Sequence, residues 1–207
     1  MTLAFAALAI SLAYLVGSFP AAYIAGRLRK GIDIRRVGSR NMGAMNVFYK
    51  VGFVEGMLVL AVDVGKGAGA VALARYLGGQ EIVQLLAGIA AVLGHSFPIF
   101  LKFRGGKGGA TLIGILVYLM PQGVPIFLAI FGLGLIATRY PTLSYGVALL
   151  CFPFVAWLLY QKWELSVFST GLVAFLLVRY IPRIREMRAK DGGWRHVFSR
   201  KGLRDRL

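Results

Sequence analysis

A chain of 207 residues that is 58% hydrophobic, with a mean hydropathy of +0.72, is too apolar for an ordinary soluble domain, which carries about 45–50% apolar residues. Its 24 Lys and Arg against 8 Asp and Glu leave a net charge of +16, and that cationic excess must be segregated outside the hydrocarbon of a membrane. The single cysteine, Cys151, lies in an apolar run, which excludes a disulfide framework and a cysteine-based metal site.

A membrane helix needs roughly 20 apolar residues, fewer where the bilayer thins or neighbours shelter the segment. Stretches near 3–25, 53–77, 82–101, 109–120, 124–138, 143–160 and 165–181 qualify, with Pro121, Pro141 and Pro182 close to several boundaries. The pattern predicts an all-α integral membrane protein of about seven transmembrane helices. The first stretch lacks a basic leader and exceeds the length of a signal-peptide core, so it reads as a retained span. The fourth and fifth are short, and are read either as spans or as a re-entrant pair.

Orientation follows from the Lys/Arg distribution. With the N-terminus outside, the inside segments hold Arg27, Arg29, Lys30, Arg35, Arg36, Arg40, Lys50, Lys102, Arg104, Lys107, Arg139 and every basic residue from Arg179 onward. The outside segments hold only Arg75 and Lys162. This bias predicts an outside N-terminus and a cytoplasmic C-terminus. Tyr14, Tyr76, Tyr118, Trp157, Tyr160, Trp163 and Tyr180 mostly fall toward span ends, as interfacial aromatics tend to. The organisation expected is one membrane domain, 1–182, with cytoplasmic loops 26–52 and 102–108, followed by a basic cytoplasmic tail, 183–207. The tail mixes cations with Trp194, Val197, Phe198 and Leu203, which suits either a positive-inside anchor or contact with anionic lipid at about 1 kcal/mol per basic residue. Nucleic acid is not the expected partner, because the rest of the chain is too apolar.

In chain order, the first polar loop runs Gly31-Ile-Asp-Ile-Arg-Arg-Val-Gly-Ser-Arg-Asn-Met-Gly-Ala-Met-Asn46. Glycines let backbone N–H groups approach an anion, Ser39, Asn41 and Asn46 add neutral hydrogen-bonding groups, and Arg35, Arg36 and Arg40 add charge. Two readings stand, a phosphate cradle and a polar turn carrying positive-inside residues. Asp63 and Lys66 lie one turn apart within the second span, where ionisable groups are costly unless paired or facing a polar cavity, so an internal ion pair is expected.

His95 closes the third span as a general base, a phosphate-orienting group or a helix cap, and capping is the reading favoured by the residue alone. The loop that follows reads Gly105-Gly-Lys-Gly-Gly109 at the start of the next helix. Glycines around one lysine at a helix N-terminus combine N–H groups, the positive end of the helix dipole and an ammonium, the ingredients of an anion site. Its spacing is not that of a Walker A loop. Close helix packing through glycine is the alternative reading.

These segments, taken together, resemble the bacterial membrane acyl-phosphate:glycerol-3-phosphate acyltransferase family. The resemblance is carried by Leu15-Val-Gly-Ser-Phe-Pro20, Gly31-Ile-Asp-Ile-Arg35, Gly38-Ser-Arg-Asn-Met-Gly-Ala-Met-Asn-Val-Phe48, Asp63-Val-Gly-Lys-Gly67, Gly94-His95 with Pro98, Phe103-Arg-Gly-Gly-Lys-Gly108 with Ala110-Thr111, and Arg139-Tyr140. It implies a seven-span helical enzyme of a bacterial inner membrane, with no metal, no cofactor and no acyl-CoA requirement, and with its active site toward the cytoplasm. The substrates it implies are fatty acyl phosphate and glycerol-3-phosphate, met among membrane lipids.

Combined with the reading of the residues, the resemblance gives Ser39, Lys107 and His95 as the catalytic set. Gly38, Asn41, Gly43, Asn46, Lys50, Gly105, Gly106 and Gly108 are assigned to the substrate phosphates, and Arg35, Asp63, Lys66 and Arg139 support them. Three departures accompany the match. Where the family has Gly-Ala-Thr-Asn-Val-x-Arg, this chain has Met45 for the threonine and Tyr49 for the arginine, with Lys50 next in line. The family's C-terminal His-Arg-Glu-Asn-Ile stretch corresponds only loosely to Arg179-Tyr-Ile-Pro-Arg-Ile184. A divergent paralogue with an altered acceptor or no turnover is therefore the alternative function, and a small anion transporter a further one.

Overall fold

The computed structural model describes residues 2–190, and all regular structure among them is helical. Two compact units, Met1–Leu119 and Met120–Leu207, are distinguished. The first contains α1 (Leu3–Gly17), α2 (Ala21–Lys30), α3 (Ala44–Lys50), α4 (Phe53–Tyr76), α5 (Glu81–Ser96) and α6 (Gly109–Leu119). The second contains α7 (Gly123–Thr138), α8 (Pro141–Leu149), α9 (Cys151–Leu158) and α10 (Trp163–Lys190). Among the described residues, five segments are long and apolar enough to cross a bilayer, Leu3–Lys30, Phe53–Tyr76, Glu81–Leu101, Pro141–Leu158 and Trp163–Pro182. At 1.5 Å per residue the 24-residue α4 extends about 36 Å, enough for a hydrocarbon core of about 30 Å. The short fourth and fifth stretches are helical as α6 and α7, with 11 and 16 residues.

Differences from the sequence expectation lie at breaks. The first stretch is not one helix, because Pro20 has no N–H to give and disfavours helical backbone at Phe19, so the chain is interrupted between α1 and α2. The sixth is divided at Leu150, where Pro153 cannot donate to the preceding turn. The seventh does not stop at Pro182, and α10 continues through that proline to Lys190. Most of the expected basic tail, 191–207 with His196, lies outside the described residues.

In the first unit, small residues set the helix spacing. A Cβ at Gly17 would collide with the Ala91 carbonyl, and one at Gly94 with the Tyr14 carbonyl, so α1 and α5 touch backbone to backbone. The same holds for α4 and α6, where Gly67 faces the Thr111 carbonyl and Gly114 faces the Val64 carbonyl. Lipid supplies little hydrophobic drive between helices, so close van der Waals contact of this kind is what joins them. The Tyr14 hydroxyl adds a tie by donating to the Phe97 carbonyl at 2.7 Å.

The second unit is held by aromatic and hydroxyl contacts. Phe127 packs against Phe131, Tyr145 and Phe152 with ring centroids 5.9–6.2 Å apart. The Ser144 hydroxyl lies 3.2 Å from that of Thr138 and donates to the Tyr140 carbonyl at 3.0 Å, fixing the turn between α7 and α8.

Gly114→Ala is expected to destabilise the protein by about 1–3 kcal/mol, because the added methyl enters the Val64 carbonyl. Gly69→Ala, whose Cβ meets nothing within 4 Å, is the matched control and should leave thermal unfolding in detergent unchanged or slightly raised.

Candidate active site

The polar first loop is built around one side chain. Asn46, only 3% exposed, shares the two hydrogens of Nδ2 among the carbonyls of Ile34, Val37 and Asn41 at 2.9–3.0 Å, and its Oδ1 accepts from the Ser39 N–H at 3.1 Å. Both ends of the amide are thus engaged. Asn46 therefore organises the loop from within. Gly38 sits beneath it with φ +59°, and a Cβ there would strike Asn46 Oδ1 and press on Lys50 Cε. The loop thereby leaves Ser39, Arg40 and Lys50 exposed and Asn41 and Gly43 half-buried on its outer side.

Arg35 is likewise structural. Its guanidinium forms a two-pronged pair with Asp33, with Nε 3.0 Å from Oδ1 and Nη2 2.8 Å from Oδ2, and its Nη1 donates to the Leu101 carbonyl at 3.3 Å. Arg27 and Arg35 both lie over the Tyr23 ring, 5.4 and 5.0 Å from its centroid. Tyr23 escaped the sequence reading, and nothing in its local sequence marks it as a shelf for cations. The Arg35 guanidinium beside Asp33 holds that carboxyl at about 2, below its ordinary 3.8.

The second loop folds back on the end of α5. Gly105 N–H donates to the Ser96 carbonyl at 3.2 Å and Gly106 N–H to the His95 carbonyl at 3.1 Å. These two amides pin the loop to the end of α5. The glycines are needed for proximity: a Cβ on Gly106 would overlap His95 Nε2 and lie 2.7 Å from the Met42 carbonyl. Gly106 is thus where the two loops meet. Lys107 follows, half-buried, then Gly108 with φ +88°, whose carbonyl accepts the Leu112 N–H that opens α6. The first turn of α6 has N–H groups that its own ladder does not use, and it follows Lys107 directly in the chain.

Beneath the loops is a buried ionic cluster. Lys66 Nζ stands 2.7 Å from Asp63 Oδ1 and donates to the Phe19 carbonyl at 3.2 Å, and His95 Nδ1 is 3.5 Å from the same Asp63 oxygen. Asp63, Lys66 and His95 are 2%, 7% and 2% exposed. The Asp63–Lys66 pair was expected, whereas the reach to His95 and to Phe19 was not. The signal for Phe19 was Pro20, which marks a place where the helix ladder is interrupted.

Ser39, Lys50, His95, Lys107 and the glycines all belong to the first unit. Arg139 belongs to the second, where it ends α7 with φ +55°. Met45 is 46% exposed at the start of α3, and Tyr49 packs edge-on against Phe48 with centroids 5.0 Å apart.

Two basic, glycine-rich loops over a buried ion cluster, carried on apolar helices, define an integral membrane protein with a cationic polar face. The family described as glycerol-3-phosphate acyltransferase matches residues 7–190, and the chain belongs to it. The glycerol-3-phosphate acyltransferase 2 of Dehalococcoides mccartyi (strain ATCC BAA-2266 / KCTC 15142 / 195) is 52% identical over 202 residues, covering 97% of this chain and 96% of the relative. The glycerol-3-phosphate acyltransferase of Bacillus velezensis is 41% identical over 181 residues, covering 87% and 93%. Among solved structures, the glycerol 3-phosphate form of PlsY (YgiH), an integral membrane glycerol 3-phosphate acyltransferase, superposes with a TM-score of 0.82 at 29% identity, covering 89% of this chain and 92% of that one. The lysophosphatidic acid form of the same protein gives 0.81 at 27% identity and 96% coverage of each chain.

Because the folded-state value of Asp33 is depressed, its contribution to stability is full above its ordinary value and is lost as pH falls toward about 2. Wild type should therefore unfold at a higher temperature than Asp33→Asn near neutral pH, with the difference closing between pH 4 and pH 2.

Proposed function

We propose that this protein transfers the acyl group of a fatty acyl phosphate to the 1-hydroxyl of glycerol-3-phosphate, releasing inorganic phosphate and lysophosphatidic acid at the cytoplasmic face of a bacterial inner membrane. The observation that carries the reading is the meeting of two cationic glycine loops at Gly106, with Lys107 on one and Ser39 and Lys50 on the other. Two phosphate-bearing substrates call for two such elements side by side. The charge bias of the loops supports the cytoplasmic orientation.

The acceptor's hydroxyl oxygen adds to the acyl carbonyl carbon, the bond from that carbon to the phosphate oxygen breaks, and phosphate leaves with the electron pair. Lys107 and the first-turn N–H groups of α6 stabilise the charge that grows on the oxygens. Ser39, Asn41 and Lys50 hold the second phosphate or the polyol. The hydroxyl proton passes to the leaving phosphate. Acyl phosphate is an activated donor, so holding the reactants together supplies much of the acceleration. The acyl chain lies among the apolar helices.

A second reading, an altered acceptor, rests on Met45, an exposed thioether where the family carries a hydroxyl.

The test is phosphate release from palmitoyl phosphate by the detergent-purified protein, with and without glycerol-3-phosphate. Acceptor-dependent release is expected, and Lys107→Ala should lower it by about 100-fold or more. Folded wild-type protein that releases no phosphate in response to glycerol-3-phosphate would sink the assignment, and release in response to another phosphorylated polyol would establish the second reading.

A further inference from the structure

We infer that His95 is a strut rather than a proton acceptor, and that Asp63 is a positioning residue which, through His95, sets the place of Lys107. The inference rests on the proposed reaction and deepens it. Three observations on three different elements carry it. Asp63 on α4 faces His95 Nδ1 at 3.5 Å, and both side chains are only 2% exposed. The opposite edge of the imidazole, Nε2, is packed so closely on Gly106 that a Cβ there has no room. The backbone closes the same unit, because Gly106 N–H donates to the His95 carbonyl and Gly105 N–H to that of Ser96. The ring is thus held between a carboxylate on one edge and the glycine before Lys107 on the other.

A general base must reach the proton it abstracts within hydrogen-bond distance or through one water. An imidazole whose two nitrogens face Asp63 and Gly106 at 2% exposure is placed to transmit position instead. Asp63 is fixed in turn, since Lys66 Nζ binds its Oδ1 at 2.7 Å and anchors to the Phe19 carbonyl at the break between α1 and α2. The path therefore runs from the Phe19 carbonyl through Lys66, Asp63 and His95 to the loop that carries Lys107. It is made of buried polar contacts with few alternative arrangements.

The experiment is steady-state kinetics in detergent, varying palmitoyl phosphate and glycerol-3-phosphate separately, for wild type, Asp63→Asn, His95→Asn and Lys107→Arg. If the chain of contacts sets Lys107, both Asp63→Asn and His95→Asn raise the KM of one substrate by roughly tenfold or more. It must be the same substrate whose KM Lys107→Arg raises, while the other stays within about twofold of wild type. Asp63→Asn leaves a buried lysine without its partner charge, so Asp63→Asn/Lys66→Met, which removes the pair together, stands in if the single variant does not fold.

A fall in kcat for His95→Asn that neither Asp63→Asn nor Lys107→Arg reproduces, with both KM values unchanged, would overturn the inference in favour of direct proton transfer by His95. Equal shifts in both KM values, or none, would overturn it as well. Wild-type protein without acceptor-dependent release would instead fail the proposed reaction, so the two failures are told apart by which protein loses activity.

Discussion

The first unit depends on how closely its helices approach. At Gly17, Gly94, Gly67 and Gly114 one backbone rests on another with no side chain between. In lipid this matters more than in water, because apolar side chains have nearly the same company whether helices associate or separate. Helices α4 and α5 also pack on each other, and there Asp63 faces His95 although they belong to separate spans.

An ion pair inside apolar helices is costly unless every partner is satisfied, since taking two charges from water costs several kcal/mol per ion. Here the balance is met by geometry in the backbone as well as by charge. Phe19 precedes Pro20, and the break between α1 and α2 leaves a carbonyl that receives Lys66. One defect in a helix thus serves as a ligand for a buried cation. The loops above are organised by the same economy, with Asn46 serving three carbonyls and one N–H, and Arg35 serving Asp33 and the Leu101 carbonyl.

Much of the fold was legible because lipid makes it so. A long apolar run has few alternatives to a helix when its backbone must satisfy itself, and each of the seven expected stretches is mostly helix in the structure. The breaks were less legible: Pro20 and Pro153 interrupt their stretches while Pro182 does not, and a proline's sequence position alone does not say which outcome the neighbours permit. In the site, residue types were readable but their jobs were not. Asn46 and Ser39 look alike as polar loop residues, yet one is 3% exposed and fully engaged and the other is exposed. Gly106 could be read as an amide donor to a substrate, whereas its N–H donates to the His95 carbonyl and its missing side chain makes room for the His95 ring. Such distinctions depend on contacts across the chain, and no local pattern encodes them.

The departure at Tyr49 can be understood in the same terms. Residues three and four positions apart lie on one face of a helix, so positions 49 and 50 are both neighbours of Asn46 on the short α3. A cation supplied from either position projects near the loop that Asn46 organises. In this chain Lys50 takes that place, its side chain passing over Gly38, whose Cβ would come within 2.8 Å of Lys50 Cε. Tyr49 meanwhile turns to Phe48. The exchange moves the charge by one residue and keeps it on the face where the first loop is open, while a compact ammonium replaces the planar fork of the arginine. On the proposed reading, what the loop gives up is two-pronged recognition, a loss of geometric selectivity for a phosphate rather than of attraction to it.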